Sequence, residues 1–468
     1  MNQPTLRLAE WTSKAGPDNL PASLYVLAKQ YLLDTIGVTV FGSTRPWSKM
    51  VARYGEKCAA GAVNNRSCII GTNLRATAGT AALVNGAAGH AFELDDVHDE
   101  SLLHPGTVVV PAALAVCEDV GGSGADLLTS IIAGYELIAR VGLGVGSLAH
   151  MMGGFHSTGT NGVFGAAAAA ASLLRLDAER TANAFGVAGS LAGGIMEFSQ
   201  SGGMVKRLHA GRAAEGGVLA AYLAAEGFTG PHTVLEGIYG YCATFSSKPE
   251  PERLLADLGR RFAIEEITVK PYACCSDQHG TIDCIAQIRA KAGIGPEDVK
   301  RIVIHTYDKV IKQNAAREWT SVMSAQYSVI FTAAATFFYD LGDPRNYVAE
   351  KIADPRIAAL ATKVELVQDV KFQALYPRAM PTRIEIETVS GNNFEAETFC
   401  AKGHFKNPMS AAEVEAKFRK LTAGILSPAQ IDRAIQAVCE IDTEKSIASL
   451  MDALKVEASV TSSRLAAA

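Results

Sequence analysis

Residues 160–174 read TNGVFGAAAAAASLL, and the run Ala166–Ala171 between Gly165 and Ser172 decides the fold class. Alanine is the strongest helix former, and it leaves a surface too shallow to hold a neighbouring helix away. Glycine and alanine are abundant along much of the chain, which implies a mainly helical protein with close helix–helix packing. Helical spacing of apolar residues extends outward from this stretch. Leu24, Leu27, Tyr31, Leu32, Ile36 and Val40 repeat at helical intervals after Pro21. Similar patterns cover residues 77–92, 111–120, 125–145, 178–191 and 210–226, the last stopped by Gly227.

The texture changes near Ile267. Ile302–Val303–Ile304, Arg383–Thr388 and Phe394–Phe399 read as strands, the last two joined by the turn Ser390–Gly391–Asn392–Asn393. A helix is expected over Tyr327–Tyr339 between them. Helical periodicity returns over 411–421, 427–438 and 447–454, and the tail Ser459–Ala468 reads as disordered. The expected architecture is a large all-helical domain built from both chain ends, residues 1–268 and 406–468. A smaller α+β lid domain, residues 269–405, is inserted into it.

With 468 residues, 48% apolar and 19% charged, the chain can bury a large core and is not a disordered protein. The formal charge, 43 − 48 = −5, comes without a basic block and speaks against a nucleic-acid surface. The most apolar stretches are interrupted by Gly, Asp or Lys, so no segment is expected to cross a membrane. Met1–Lys14 lacks the apolar core of a secretory signal, and the expected location is the cytoplasm. The cysteines, scattered from Cys58 to Cys439 and odd in number, read as reduced thiols.

Segments rich in reactive side chains stand out. Residues 89–105, GHAFELDDVHDESLLHP, hold five carboxylates (Glu93, Asp95, Asp96, Asp99, Glu100) and the imidazoles of His90, His98 and His104. Crowded carboxylates raise one another's pKa, and a nearby imidazole can share the proton, as general acid–base chemistry requires. A solvated helix-capping loop and a metal site are the alternatives, although the spacing matches no closed metal motif such as His-Glu-x-x-His. Residues 153–162, GGFHSTGTNG, place His156 just before the alanine-rich helix, where unsatisfied N–H groups attract a carboxylate. The alternative is an ordinary N-cap by Ser157 or Thr158. No Gly-x-Ser-x-Gly elbow accompanies them, which argues against acyl transfer.

Residues 199–212, SQSGGMVKRLHAGR, carry Lys206, Arg207, His209 and Arg212, of which Lys206 or Arg212 suits a carboxylate clamp. Residues 269–280, VKPYACCSDQHG, combine Lys270, Tyr272, Cys274, Cys275 and His279 where the texture changes, a position suited to an interdomain cleft. A thiol beside Lys and His can be a base of lowered pKa, and a pair of thiols can run an epimerisation; two buried structural thiols are the alternative. Gly142-x-Gly144-x-Gly146 lies inside a helical pattern without a preceding strand and is not a dinucleotide loop.

In their order and spacing these four segments resemble the MmgE/PrpD family over nearly the whole chain. The resemblance implies a helical domain with an α+β lid, a homodimer, no metal and no cofactor. It also implies proton transfer next to a carboxylate of a small di- or tricarboxylic acid. Family positions fall on Asp95, Asp96, His104, His156, Lys206 and Lys270, with His279 near the same cleft; Glu93, Arg212, Tyr272 and Cys275 are further candidates for binding the substrate. The expected reaction is that of a hydro-lyase of the 2-methylcitrate dehydratase type, the acid lying between the helical domain and the lid. Decarboxylation of cis-aconitate and epimerisation of iminodisuccinate also occur in the family. Glu93 stands where the family usually has Asp, and Val97 where it has Thr. Ala273–Cys274–Cys275 replaces a segment without a cysteine pair, and this last departure favours an epimerase. A catalytically inactive carboxylate-binding protein is the remaining alternative.

Overall fold

The alanine run forms a helix. A computed structural model of the chain describes residues 3–376 and 378–456, and in it Ser157–Leu173 is one helix whose residues from Ser157 to Ala171 are all buried. In chain order the main helices are α1 (Pro4–Lys14), α2 (Ala22–Ser43), α3 (Pro46–Ala59), α4 (Ala78–Gly89), α5 (Gly106–Val120), α6 (Gly124–Gly144), α7 (Ser157–Leu173), α8 (Ala178–Leu191), α9 (Val205–Ala225), α10 (His279–Ala292), α11 (Ala411–Thr422) and α12 (Pro428–Cys439). The mainly α fold expected from the sequence is what the structure has. The Ser459–Ala468 tail lies outside the described residues.

The chain divides into two compact units. The helical unit takes in the chain up to Ala91, Asp95–Ile267 and the chain from Ala411; the smaller unit holds Phe92–Leu94 and Thr268–Ser410. In the helical unit α9 packs along α4, α7 and α8, and α6 packs along α7. The contact between α4 and α9 is unusually close. A Cβ on Gly86 would lie 2.9 Å from Gly211 Cα, and one on Gly211 would overlap the Leu83 carbonyl oxygen. Residues without side chains at the crossing bring the two backbones together, as ridge-and-groove packing allows.

Helices α1 and α3 were not legible in the periodicity. The buried positions of α1 include Thr5, Leu8, Ala9 and Thr12, a helical spacing in which two members are polar. Two helices correct the expectation about membranes. Ala22–Ser43 and Gly124–Gly144 are long and apolar enough to cross one, but 72% and 94% of their most apolar windows are buried inside the protein. They are core helices. The C-terminal α11 returns to α2 and pairs Lys417 Nζ with Asp34 Oδ1 at 2.6 Å, both side chains almost wholly buried.

The smaller unit is built on a sheet of β1 (Val299–Thr306), β2 (Val364–Gln368), β3 (Thr382–Thr388) and β4 (Asn393–Thr398) in the order β2-β1-β3-β4. β1 runs parallel to β2 and antiparallel to β3, with Ile302 opposite Ile386 and Ile304 opposite Ile384. Those isoleucines are buried, and α10 covers β3 and β4. The β3–β4 hairpin turns where expected, with Gly391 at φ +87°. The helix expected over Tyr327–Tyr339 is instead two short helices, Val322–Gln326 and Val329–Ala335. Ser328 separates them, its hydroxyl accepting the Phe331 N–H at 3.1 Å.

Lys417→Met should cost on the order of 3–5 kcal/mol, because it strands the Asp34 carboxylate in the core. Adding Asp34→Leu should recover most of that loss. Urea unfolding of the two variants checks this, and an unchanged midpoint for Lys417→Met would show that the pair does not hold α11 to α2.

Candidate active site

The acidic segment begins where α4 ends. His90 caps that helix, its N–H bonding to the Gly86 carbonyl at 3.1 Å. Its Nδ1 lies 2.6 Å from Asp95 Oδ2, and both side chains are buried. His104 directs its own Nδ1 at the same oxygen, 3.3 Å away, and to the Asp96 carbonyl at 2.9 Å. A carbonyl can only accept, so His104 Nδ1 carries the hydrogen and Nε2 keeps a lone pair. The His104 backbone is fixed from another direction, its N–H bonding Thr158 Oγ1 in the first turn of α7 at 3.1 Å. His90 Nε2 is buried with no hydrogen-bond partner among the described residues.

Asp96 faces away from the imidazoles. Its Oδ1 accepts the Gly106 N–H at 2.8 Å at the start of α5, and Oδ2 accepts the Tyr135 hydroxyl at 2.7 Å. A Cβ on Gly106 would lie 2.6 Å from Thr35 Oγ1 and 2.7 Å from both Asp96 Oδ1 and Tyr135 Oη, so only glycine fits there. Burial pushes the Asp96 carboxyl up to about 7 against the hydrogen bonds from Tyr135 and Gly106, and Asp34 and Asp95 add smaller upward pushes. Burial, more than the crowding expected from the sequence, sets this shift. Asp96 therefore orients His104 through its carbonyl while Asp95 does so through its carboxylate.

His156 is itself the N-cap of α7, and neither Ser157 nor Thr158 takes that place. Its N–H bonds the Gly194 carbonyl at 3.1 Å. The His156 ring stacks 5.6 Å from His90, and its Nδ1 is 3.0 Å from His209 Nδ1. Lys206 and His209 lie three residues apart on α9 and so on one face. Burial, reinforced by the positive charge of neighbouring His90 and Lys206, drives His156 well below the ordinary imidazole range and His209 to about 4. Both rings are neutral at neutral pH. Phe198 packs edge-on against each of them.

The structure thus brings together Asp95, His104, His156 and Lys206 within the helical unit, and adds His90 and His209. Those two imidazoles lay in the quoted segments, but nothing in the sequence separated them from His98. His98 is a packing residue: its Nδ1 accepts from Ser101, and burial lowers it to about 4. Glu100 pairs with Arg253 at 2.7 Å. Arg212 is not part of the cluster; it is exposed and pairs with Glu215. Each three-residue step along a helix turns the face by roughly 60°, so by Arg212 it has swung roughly 120° from Lys206.

The remaining expected residues belong to the smaller unit. Lys270 is buried, its Nζ 3.6 Å from Glu93 Oε2 and 3.4 Å from the Glu93 carbonyl. Tyr327 donates to Glu93 Oε2 at 3.2 Å, and Gln326 binds the Phe92 carbonyl at 3.1 Å. These bonds anchor Phe92–Leu94, and Glu93 adopts the left-handed backbone (φ +56°). Tyr272 donates to Asp283 at 2.6 Å, and His279 Nε2 donates to the Cys274 carbonyl at 3.3 Å. The expectation of a lowered thiol pKa is corrected. Burial, then the Asp277 carboxylate, pushes Cys275 up to about 12, and burial raises Cys274 as well. Neither thiol is a base at neutral pH.

His90, Asp95 and His104 also offer ligand-type atoms within 4.8 Å of one another. Two imidazoles and a carboxylate are donors that several metals accept. The nitrogens nearest the carboxylate are hydrogen-bond donors here, to Asp95 and to the Asp96 carbonyl. The group reads as one carboxylate sharing protons with two imidazoles.

Comparison with known proteins adds an independent line. Residues 6–254 match the model of the MmgE/PrpD N-terminal domain, and residues 272–441 that of the C-terminal domain. A cis-aconitate decarboxylase-like protein of Aspergillus oryzae is 27% identical over 96% of this chain and 96% of its own length. The cis-aconitate decarboxylase of Aspergillus terreus is 27% identical over 96% of this chain and 95% of its own. The human cis-aconitate decarboxylase is 27% identical over 92% and 89% respectively.

The raised Asp96 carboxyl makes a signed claim about stability. Its folded pKa is about 7 against 3.8 for an ordinary aspartate, so between those values the folded state holds a proton that the unfolded chain has lost. That contribution is full below about 4 and is lost as pH rises towards 7. Asp96→Asn cannot titrate, so its unfolding free energy relative to wild type should rise over this window and then level off. A pH-independent difference in urea unfolding would contradict the assignment.

Proposed function

The chain belongs to the MmgE/PrpD family, and from that premise we propose that it is a carboxy-lyase releasing CO2 from a cis-aconitate-like tricarboxylate. The observation that carries the proposal is the cluster of buried His90 and His156 and half-buried His104 and His209 with the buried Asp95 and Lys206. The relatives named as cis-aconitate decarboxylases, aligned over nearly their whole length, support the choice of reaction.

Decarboxylation of an allylic carboxylate breaks its C–C bond, and the electron pair forms a new double bond. The electrons of the old double bond take a proton at the carbon beside a remaining carboxylate. The neutral, buried His156 suits that delivery, because an imidazolium in its place is a strong acid. Asp95 and the Asp96 carbonyl hold His104 in its Nδ1–H tautomer and fix the ring's orientation, the role a carboxylate plays behind a catalytic imidazole. Lys206, buried among these rings, offsets charge that develops on the substrate carboxylate.

A hydro-lyase of the 2-methylcitrate dehydratase type is the second reading, favoured by the Nδ1–H tautomer of His104, which makes Nε2 the basic nitrogen for an α-proton. Epimerisation by a thiol pair has no support from the raised Cys274 and Cys275.

Proton NMR in D2O with cis-aconitate, 2-methylcitrate, citrate, malate and iminodisuccinate tests the proposal. Loss of CO2 from cis-aconitate, with deuterium at the new sp³ carbon, is the expected outcome. An alkene formed only from 2-methylcitrate or citrate would replace it with the hydro-lyase, and turnover of none of the acids would overturn both. His104→Ala and His156→Ala should each lower the rate on the order of 10²-fold or more while circular dichroism stays unchanged. Full activity in both variants would remove the imidazoles from the mechanism.

A further inference from the structure

The end of α4 is pinned from three sides. The Gly86 carbonyl accepts both the His90 N–H at 3.1 Å and the Thr107 hydroxyl of α5 at 3.0 Å. A Cβ on Gly89 would lie 2.7 Å from Thr107 Oγ1 and 3.2 Å from Thr39 Oγ1 of α2, and α9 crosses at Gly211. His90 therefore starts from a fixed backbone, and it is only 1% exposed. Its ring stacks on His156 with centroids 5.6 Å apart, and stands at 62° to the His104 ring, 5.0 Å away. Its Nδ1 lies 2.6 Å from Asp95 Oδ2, the same oxygen that His104 Nδ1 faces at 3.3 Å. A carboxylate accepts, so His90 Nδ1 carries the hydrogen.

We propose that His90 is a positioning residue that sets the places of His104 and His156 without itself touching the substrate. The inference rests on the reading above, in which those two imidazoles meet the substrate. The His90 ring is the support for His156, and its Nδ1–H holds the Asp95 carboxylate that orients His104.

The other nitrogen of His90 is not used for proton transfer. Nε2 is buried without a hydrogen-bond partner among the described residues. A group that moves a proton must come within hydrogen-bond reach of the substrate, and a covered nitrogen does not. Both positioning tasks together require histidine. Phenylalanine would supply the ring without the donor, and asparagine the donor without the ring.

The test compares His90→Phe, His90→Asn and His90→Ala in full-length protein with cis-aconitate, each fold checked by circular dichroism. The Phe and Asn variants should each lose about 10-fold in kcat, and Ala on the order of 10²-fold, the scale of a misplaced reacting group. KM should stay within about threefold of wild type, because the groups that bind substrate remain. Should His90→Ala fail to fold, the other two variants carry the comparison. ¹⁵N NMR reads the rings directly. His90→Phe should displace the His104 imidazole signals by freeing the Asp95 carboxylate, and His90→Asn, which still donates to it, should restore them.

Wild-type kcat in both His90→Phe and His90→Asn would overturn the proposal. So would a rise of roughly 10-fold in KM at unchanged kcat, which would make His90 a substrate contact. A loss in His90→Phe as deep as that in His104→Ala would make it a proton carrier and overturn the proposal too. Wild-type protein inert towards the whole panel of acids would overturn the function instead. The NMR comparison then decides: His104 signals displaced in His90→Phe and restored in His90→Asn support the positioning role, and any other pattern refutes it.

Discussion

Helices α4 and α9 approach at Gly86 and Gly211 until backbone meets backbone, and the reactive cluster depends on that contact. His90 stands at the end of α4, while Lys206 and His209 occupy the first turns of α9. Helix α7, packed along α9, contributes His156 from its own N-terminus. A larger residue at the crossing would part the two helices and separate His90 from Lys206 and His209. The abundance of glycine and alanine is therefore a condition for the chemistry as well as a packing device.

Close packing also sets the electrostatics. Imidazoles in a dry interior beside Lys206 resist protonation, so His156 and His209 stay neutral. Asp95 creates a different environment nearby, where a carboxylate accepts from the Nδ1 of His90 and faces that of His104. Asp96, though adjacent to Asp95, is spent on starting α5 and fixing His104.

Much of this was legible in the sequence. The alanine run and the 3.6-residue periodicity specified the helices, and β3 and β4 were visible from alternation and from Gly391. Helix α1 was hidden because Thr5 and Thr12 occupy core positions. The segment 89–105 marked itself by its charge, yet its carboxylates meet different fates, from Glu93 in the smaller unit to Glu100 at an ion pair with Arg253. Sequence spacing could not sort them, because the fates follow from which helix end each one meets in space. His90 and His209 stayed hidden for the same reason: their significance is a contact with residues more than fifty positions away. The thiols misled because local sequence shows a lysine beside a cysteine and does not show burial.

The most direct measurement is a crystal structure of the protein with a non-reactive tricarboxylate bound. The account predicts the acid beside the imidazole cluster, with a carbon next to a carboxylate within about 3.5 Å of Nε2 of His156 or His104. A carboxylate should lie against Lys206. A tricarboxylate seated away from all four imidazoles, with His104 and His156 still turned to Asp96 and His209, would contradict the central claim that these rings move the proton.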